Sequence, residues 1–409
     1  MITMLTTSIC HDFLKNLMTN KILLGFTLML ILIVPATSLP AMAQSSISLN
    51  AAGATFPFPL IDTWRVEYAK LHPDVALNYQ SIGSGAGIKL YTQKTVDFGA
   101  SDAPLQTSEA AQVPGTLHIP ETIGAVTISY NLPGISKGLK LTGPVVADIF
   151  AGKIKNWSDK KITDLNPDLS IPNKDIVMAH RSDGSGTTFV FTSYLSAVSP
   201  DWKTSIGSGK SVQWVGGVGG QGNAGVANIV KTTQYAIGYV ELAYVMQNNM
   251  TYAFIQNADG TDFVEPTLAT IAADAASASD SLPASDGDWS KVSIVNQPGK
   301  DSYPISSFTY LLVYKDLSQV KGMTQEKAKA IVDFLNWAIH DGQQFSSDLL
   351  YVPLPDAMVK KDEQAISTIA FTGGAVPEFG SLASIILVVA IASIIVVSAK
   401  GRLGLTTKP

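Results

Sequence analysis

Ile176-Val177-Met178-Ala179-His180-Arg181-Ser182-Asp183-Gly184-Ser185-Gly186-Thr187-Thr188-Phe189-Val190-Phe191 is the stretch on which the fold turns. Its first four residues read as a short apolar strand. A polar turn with two glycines follows, and the apolar residues after Thr188 read as a helix that starts at Thr187 or Thr188. A strand that stops in a glycine turn and resumes as a helix is the repeating unit of an α/β domain. The turn also has a chemistry. Glycines let backbone amides approach a ligand closely, hydroxyls add donors, and Arg181 offers a planar fork that matches a tetrahedral oxyanion. A helix starting at Thr187 would aim its free N–H groups at the same point. Together these features describe an anion cradle, and phosphate is the first ligand to consider.

The same alternation extends outward in both directions. Leu60, Trp64, Tyr68 and Leu71 recur at helical spacing. Residues 75–79 read as a strand, followed by the turn Gly83-Ser84-Gly85-Ala86-Gly87 and a helix from about Ile88. Residues 96–100, 125–130, 235–240 and 308–313 read as further strands, and 327–338 as the clearest late helix. The expected fold class is therefore mixed α/β, with a mostly parallel sheet flanked by helices in each of two lobes. In such sheets ligands sit beyond the carboxyl ends of the strands. The polar turns at Thr55, Ser84, Asp102 and Arg181 all fall where a periodic run stops. The alanine-, serine- and aspartate-rich segment 268–288 is expected to be an exposed helix plus loop without chemistry.

Composition narrows the function. The net charge is -5 and charged residues make up only 15% of the chain, with no basic block, which argues against nucleic acid as a partner. An acidic protein that takes an anion must rely on local donors. Four short segments could supply them: Ala52-Gly53-Ala54-Thr55-Phe56-Pro57, Ile82-Gly83-Ser84-Gly85-Ala86-Gly87, Asp97-Phe98-Gly99-Ala100-Ser101-Asp102, and Arg181 to Thr187. Asp102 sets a condition on the ligand, because a carboxylate tolerates an anion only if that anion has a proton to donate. Phosphate has one at neutral pH and sulfate does not. Asp183 could hold the Arg181 fork in place.

Other patterns carry less. The run Gly217 to Gly222 matches G-x-G-x-x-G, but no ribose-binding acid follows at the expected distance. The five histidines are scattered, so no metal site is expected, and no catalytic constellation or cofactor motif is visible. A phosphatase-like enzyme and a surface structural protein on the same scaffold are the alternatives. Asn156 and Asn249 open glycosylation sequons.

Both ends read as targeting segments. Residues 1–43 are expected to form a leader with its true start at Met18. It contains a lysine, an apolar run and Ala41-Met42-Ala43, which together make a secretory signal. The single cysteine, Cys10, lies in that leader, so the exported domain is expected to have no disulfide. At the other end, residues 373–380 form a linker, 381–400 a transmembrane helix and 401–409 a basic tail. Eighteen apolar residues would span about 27 Å, close to the hydrocarbon thickness. Val376-Pro377-Glu378-Phe379-Gly380 ahead of that helix resembles the PEFG-type archaeal sorting signal.

The four candidate segments, in this order, resemble the phosphate-binding receptors of ABC phosphate transporters, the PstS family of periplasmic-binding-protein type. Ile149-Phe150-Ala151-Gly152-Lys153-Ile154-Lys155-Asn156-Trp157, Gly216 to Asn223 and Ile237-Gly238-Tyr239-Val240-Glu241 carry the same resemblance. It implies a two-lobed fold, with lobe one at 45–123 plus 298–372, lobe two at 124–297, and a hinge of two crossovers. The family's phosphate contacts fall on Thr55, Phe56, Ser84, Asp102, Arg181, Ser185, Gly186 and Thr187, with Asp183 pairing the arginine behind them. The implied partners are inorganic phosphate and the membrane subunits of a permease. The implied protein is a monomeric, non-enzymatic receptor without cofactor or metal, exported and tethered at the outer face of the membrane.

Overall fold

The computed structural model describes residues 46–276 and 282–372. The leader and signal, the linker, the C-terminal apolar run and the basic tail all lie outside the described residues. No helix among the described residues is long and apolar enough to cross a membrane.

Twelve strands are described: β1 (Ile47–Gly53), β2 (Val75–Ser81), β3 (Phe98–Ser101), β4 (Thr116–Tyr130), β5 (Lys140–Leu141), β6 (Val177–Arg181), β7 (Val218–Gly220), β8 (Ala236–Glu241), β9 (Thr251–Tyr252), β10 (Phe254–Gln256), β11 (Phe263–Val264) and β12 (Ser306–Tyr314). Nine of them form one sheet in the order β2-β1-β3-β12-β4-β8-β6-β7, with β9 also on β4, and β11-β10-β5 form a small second sheet. The flanks β2-β1-β3 and β8-β6-β7 are parallel, while the pairings of β12 and β4 in the middle are antiparallel. Each parallel flank is built from strands that feed helices, as the alternation in the sequence requires.

β4 joins the two halves. Residues 116–125 pair with β12, and from Val126 onward the strand pairs with β8. The return connection lies beside the point of exchange, where Val126 N donates to Ile305 O at 2.9 Å. Every residue of β4 is buried. The carboxyl ends of β1, β3, β6 and β7 bring Gly53, Ser101, Arg181 and Gly220 to the region between the halves.

Two expectations need correction. The helix after β2 spans Ser84–Thr92, so it starts at the serine itself and not near Ile88. Gly83 makes this possible: it precedes the helix at φ 92°, a conformation that side chains disfavour. The second correction concerns residues 268–288. The helix Leu268–Ala276 is not exposed, because it buries Ile271, Asp274 and Ala275. Gln297 N donates to the Asp274 carboxylate at 3.2 Å, which gives this buried acid a partner.

The first half packs its core around the helix Phe58–Leu71. Trp64 is fully buried there, donates from Nε1 to Gly342 O at 2.7 Å, and meets Trp337 edge-on at 6.4 Å. Trp64→Ala should destabilise the fold by ~3–5 kcal/mol through the lost transfer energy and the cavity left behind. A urea midpoint within error of the parent would contradict that packing role.

Candidate functional site

The loop after β1 shows how the backbone is aimed. Tyr79 OH donates to Ala54 O at 2.6 Å, Tyr244 OH to Thr55 O at 2.6 Å, and Tyr351 OH to Phe56 O at 2.7 Å. A trans peptide points each carbonyl opposite to the N–H that follows it. Tyr79 therefore sets the direction of the Thr55 amide, and Tyr244 that of the Phe56 amide. Pro57 has no N–H, so the tyrosine on Phe56 O only fixes the loop. Three phenols from three distant segments thus hold two donors in place.

β6 ends at Arg181, and the helix Gly186–Val198 begins five residues later, capped by Ser185. Ser185 Oγ accepts from Thr188 N at 3.0 Å, which leaves the hydroxyl proton free to donate. The first-turn amides of Gly186 and Thr187 have no carbonyl within their own helix to bond. The Arg181 side chain is only 1% exposed, which excludes a surface ion pair. Its Nε donates to Asp183 Oδ1 at 2.8 Å, and its Nη1 reaches Thr187 Oγ1 at 3.3 Å. Burial pushes the Asp183 carboxyl up, but Arg181 and the Gly222 amide outweigh it and hold the group below its usual range. His180 stacks on Trp214 at 5.0 Å, and its Nδ1 lies 3.0 Å from Arg181 O, so it supports the strand end.

Asp102, at the end of β3, faces this helix start from the other half. Thr187 Oγ1 lies 3.5 Å from Asp102 Oδ2, and Ser84 Oγ accepts from Asp102 N at 3.3 Å. Burial pushes the Asp102 carboxyl up to about 7, against the opposing charge of Arg181 and hydrogen bonds from Thr309, Thr187 and Ser84. Near neutral pH the group is therefore poised between accepting and holding a proton. Gly186 packs against it so closely that a Cβ there would lie 2.5 Å from both Asp102 Oδ2 and Ser84 Oγ.

Thr55, Phe56, Ser84, Asp102, Arg181, Ser185, Gly186 and Thr187 are all buried residues around the ends of these strands, with Asp183 beside Arg181. Further contacts run between the halves. Gly85 N donates to Gly184 O at 2.8 Å, and Lys210 Nζ meets Glu109 at 2.8 Å.

The residue that the sequence reading missed is Asn223. Its Nδ2 donates to Thr55 Oγ1 at 2.9 Å and to Thr187 Oγ1 at 3.1 Å, and its Oδ1 accepts from Glu241 N at 3.0 Å. It is the second residue of the helix Gly222–Thr232, which follows β7 after one intervening residue. The glycine run set aside as a weak nucleotide motif was the available signal. It is a strand-to-helix turn, and it delivers an amide to the two hydroxyls. The arrangement as a whole offers amides, hydroxyls and one guanidinium, together with one proton acceptor. That donor set suits a small tetrahedral oxyanion that still carries a proton.

Residues 37–341 match a family model described as a PBP superfamily domain. The chain is 44% identical over 335 residues to the phosphate-binding protein PstS of Xylella fastidiosa, covering 80% of this chain and 87% of that protein. It is 38% identical over 377 residues to the phosphate-binding protein PstS of Methanocaldococcus jannaschii, covering 85% and 96%. Among solved structures, a high-affinity periplasmic phosphate-binding protein, PfluDING, bound with phosphate, superposes with a TM-score of 0.60 at 21% identity, covering 78% of this chain and 93% of that one.

Proposed function

We propose that this chain, which belongs to the PstS family of phosphate-binding proteins within the PBP superfamily, captures inorganic phosphate outside the cytoplasm and delivers it to an ABC-type permease. The observation that carries the reading is the meeting of Arg181 and Asp102 at one hydroxyl, Thr187 Oγ1. A ligand placed there must offer acceptor oxygens to the arginine and an O–H to the carboxylate. Phosphate at neutral pH offers both. The contacts would come from the Thr55 and Phe56 amides, the hydroxyls of Thr55, Ser84, Ser185 and Thr187, the Gly186 amide, and Arg181 braced by Asp183. Asn223 orients two of those hydroxyls.

In this reading the halves are lobes that close on the anion. Their hinge lies at Ala125–Val126 and Ile305–Ser306, where β4 passes from β12 to β8. The contacts between Gly85 and Gly184 and between Lys210 and Glu109 belong to the closed form. The protein acts as a monomeric receptor and leaves its ligand unchanged. We also place it at the outer face of the membrane, exported by the signal ending at Ala43 and held by the apolar segment 381–400 or by an anchor attached after sorting at the Pro-Glu-Phe-Gly motif. These assignments at the termini rest on sequence alone.

Calorimetric titration of the refolded, anion-stripped protein with phosphate and then sulfate tests the reading. Tight phosphate binding without a sulfate response is expected. Asp102→Asn replaces an acceptor with a group that can donate, so phosphate should weaken by about 10- to 100-fold and sulfate should begin to bind. Unchanged selectivity in that variant would remove the role given to Asp102.

A further inference from the structure

The antiparallel pairing of β12 with β4 breaks register at one point. Thr309 faces Thr122 and Tyr310 faces Pro120, so Glu121 is an extra residue in β4. Such a bulge re-aims a side chain out of the strand's alternation. Glu121 is fully buried, and its Oε1 lies 3.1 Å from Thr309 Oγ1. The same hydroxyl lies 3.2 Å from Asp102 Oδ1. A threonine hydroxyl has a single proton to give. With both carboxyls ionised, one would face a lone pair, and two like charges would share a buried site. One of them must therefore be neutral and donate to Thr309. Asp102 has the Arg181 charge and the Thr187 and Ser84 hydroxyls to support its ionised form. Glu121 has only Thr309, and its Oε2 has no hydrogen-bond partner.

We propose that Glu121 is a positioning residue of the anion site: as a neutral acid it donates to Thr309, which obliges Thr309 to donate to Asp102 Oδ1 and leaves Asp102 Oδ2 as the acceptor for the ligand's proton. The inference rests on the phosphate-receptor reading. No proton changes hands in the resting arrangement, and the relay only fixes which way each O–H points. Burial, helped by the Asp102 charge, pushes the Glu121 carboxyl up to about 8. The other titratable groups nearby are Tyr79 of β2, raised by burial and then by the Glu121 charge, and Asp102 itself, which Arg181, Glu241, Tyr244, Tyr310 and Tyr351 face; burial keeps these tyrosines protonated across the range. Above about pH 8 Glu121 ionises. Thr309 then turns toward it, Asp102 loses a donor, and a second negative charge stands behind the ligand. Phosphate can bind only as that proton is taken back, so affinity falls by up to about tenfold per pH unit.

The test is phosphate affinity measured by calorimetry at pH 7 and pH 9.5, read as the ratio within each protein. The parent and Thr309→Ser should lose about tenfold or more between the two. Glu121→Gln, which stays neutral and can still donate, should lose about tenfold less than the parent over the same interval, because the titrations of Asp102 and of phosphate itself are common to both proteins. If Glu121→Gln fails to fold, the parent alone decides: titration at pH 9 in buffers of different ionisation enthalpy should show proton uptake on binding. Equal ratios in parent and Glu121→Gln, or no uptake at pH 9, would overturn the proposal while leaving the receptor reading intact. Absence of phosphate binding by the parent at pH 7 would instead remove the receptor reading, and this inference with it.

Discussion

Arg181→Lys is expected to lower phosphate affinity by about 100-fold or more. The guanidinium does two jobs at once. Nε and Nη2 are committed to Asp183, and Nη1 points to Thr187 at the site. A lysine head is a single point and cannot do both. If it reaches Asp183, the ligand loses the one cation that the described residues bring to the site. If it reaches the ligand, Asp183 keeps only backbone amides, of Gly222 and of its own residue, and its charge turns against the anion. Each charge-assisted hydrogen bond is worth about 1.5–3 kcal/mol, and two lost bonds reach the stated loss. Calorimetry on the folded variant decides, and an affinity within tenfold of the parent would mean that Arg181 does not hold the ligand.

Gly186→Ala should do comparable damage by a different route. Its Cβ would lie 2.5 Å from Asp102 Oδ2 and Ser84 Oγ and 2.6 Å from Asp102 Cβ. Asp102 cannot retreat, since Thr309 holds its other oxygen. Both clashing residues belong to the opposite half, so the variant can fold but cannot close. Alanine is well tolerated inside a helix, and the melting temperature without ligand should stay within ~2 °C. Phosphate affinity should fall by about 100-fold or more, because an open form offers only part of the donor set. Small-angle scattering should show no compaction on adding phosphate. A variant that still closes and binds would refute the tight approach assigned to Gly186.

The two predictions draw on different parts of what the sequence disclosed. The run from His180 to Thr188 was legible because its chemistry is local: strand, fork, hydroxyl cap and helix start all lie within one turn of chain. Glu121 and Thr309 were not legible. They meet Asp102 from distant strands, and the meeting depends on a one-residue shift in register that leaves no mark in composition. Asn223 was half legible. Its glycine turn was visible, but its partners Thr55 and Thr187 lie far away in sequence. The helix at 268–276 was misjudged for a related reason. Alanine and aspartate suggest exposure, and Asp274 is acceptable inside because donors distant in sequence, Gln297 N and Ser306, reach its carboxylate.

β4 has one more consequence, for the order in which the molecule comes apart. Its amides lie in a fully buried strand shared by both halves, so they should exchange with solvent deuterium only when the whole chain unfolds. The bond from Gly85 to Gly184, which the proposed opening of the lobes would break, should exchange far sooner. Neither half can be excised as an independent folding unit without cutting this strand. A protein read here as bending on every delivery thus runs its longest-lived hydrogen bonds through the place where it bends.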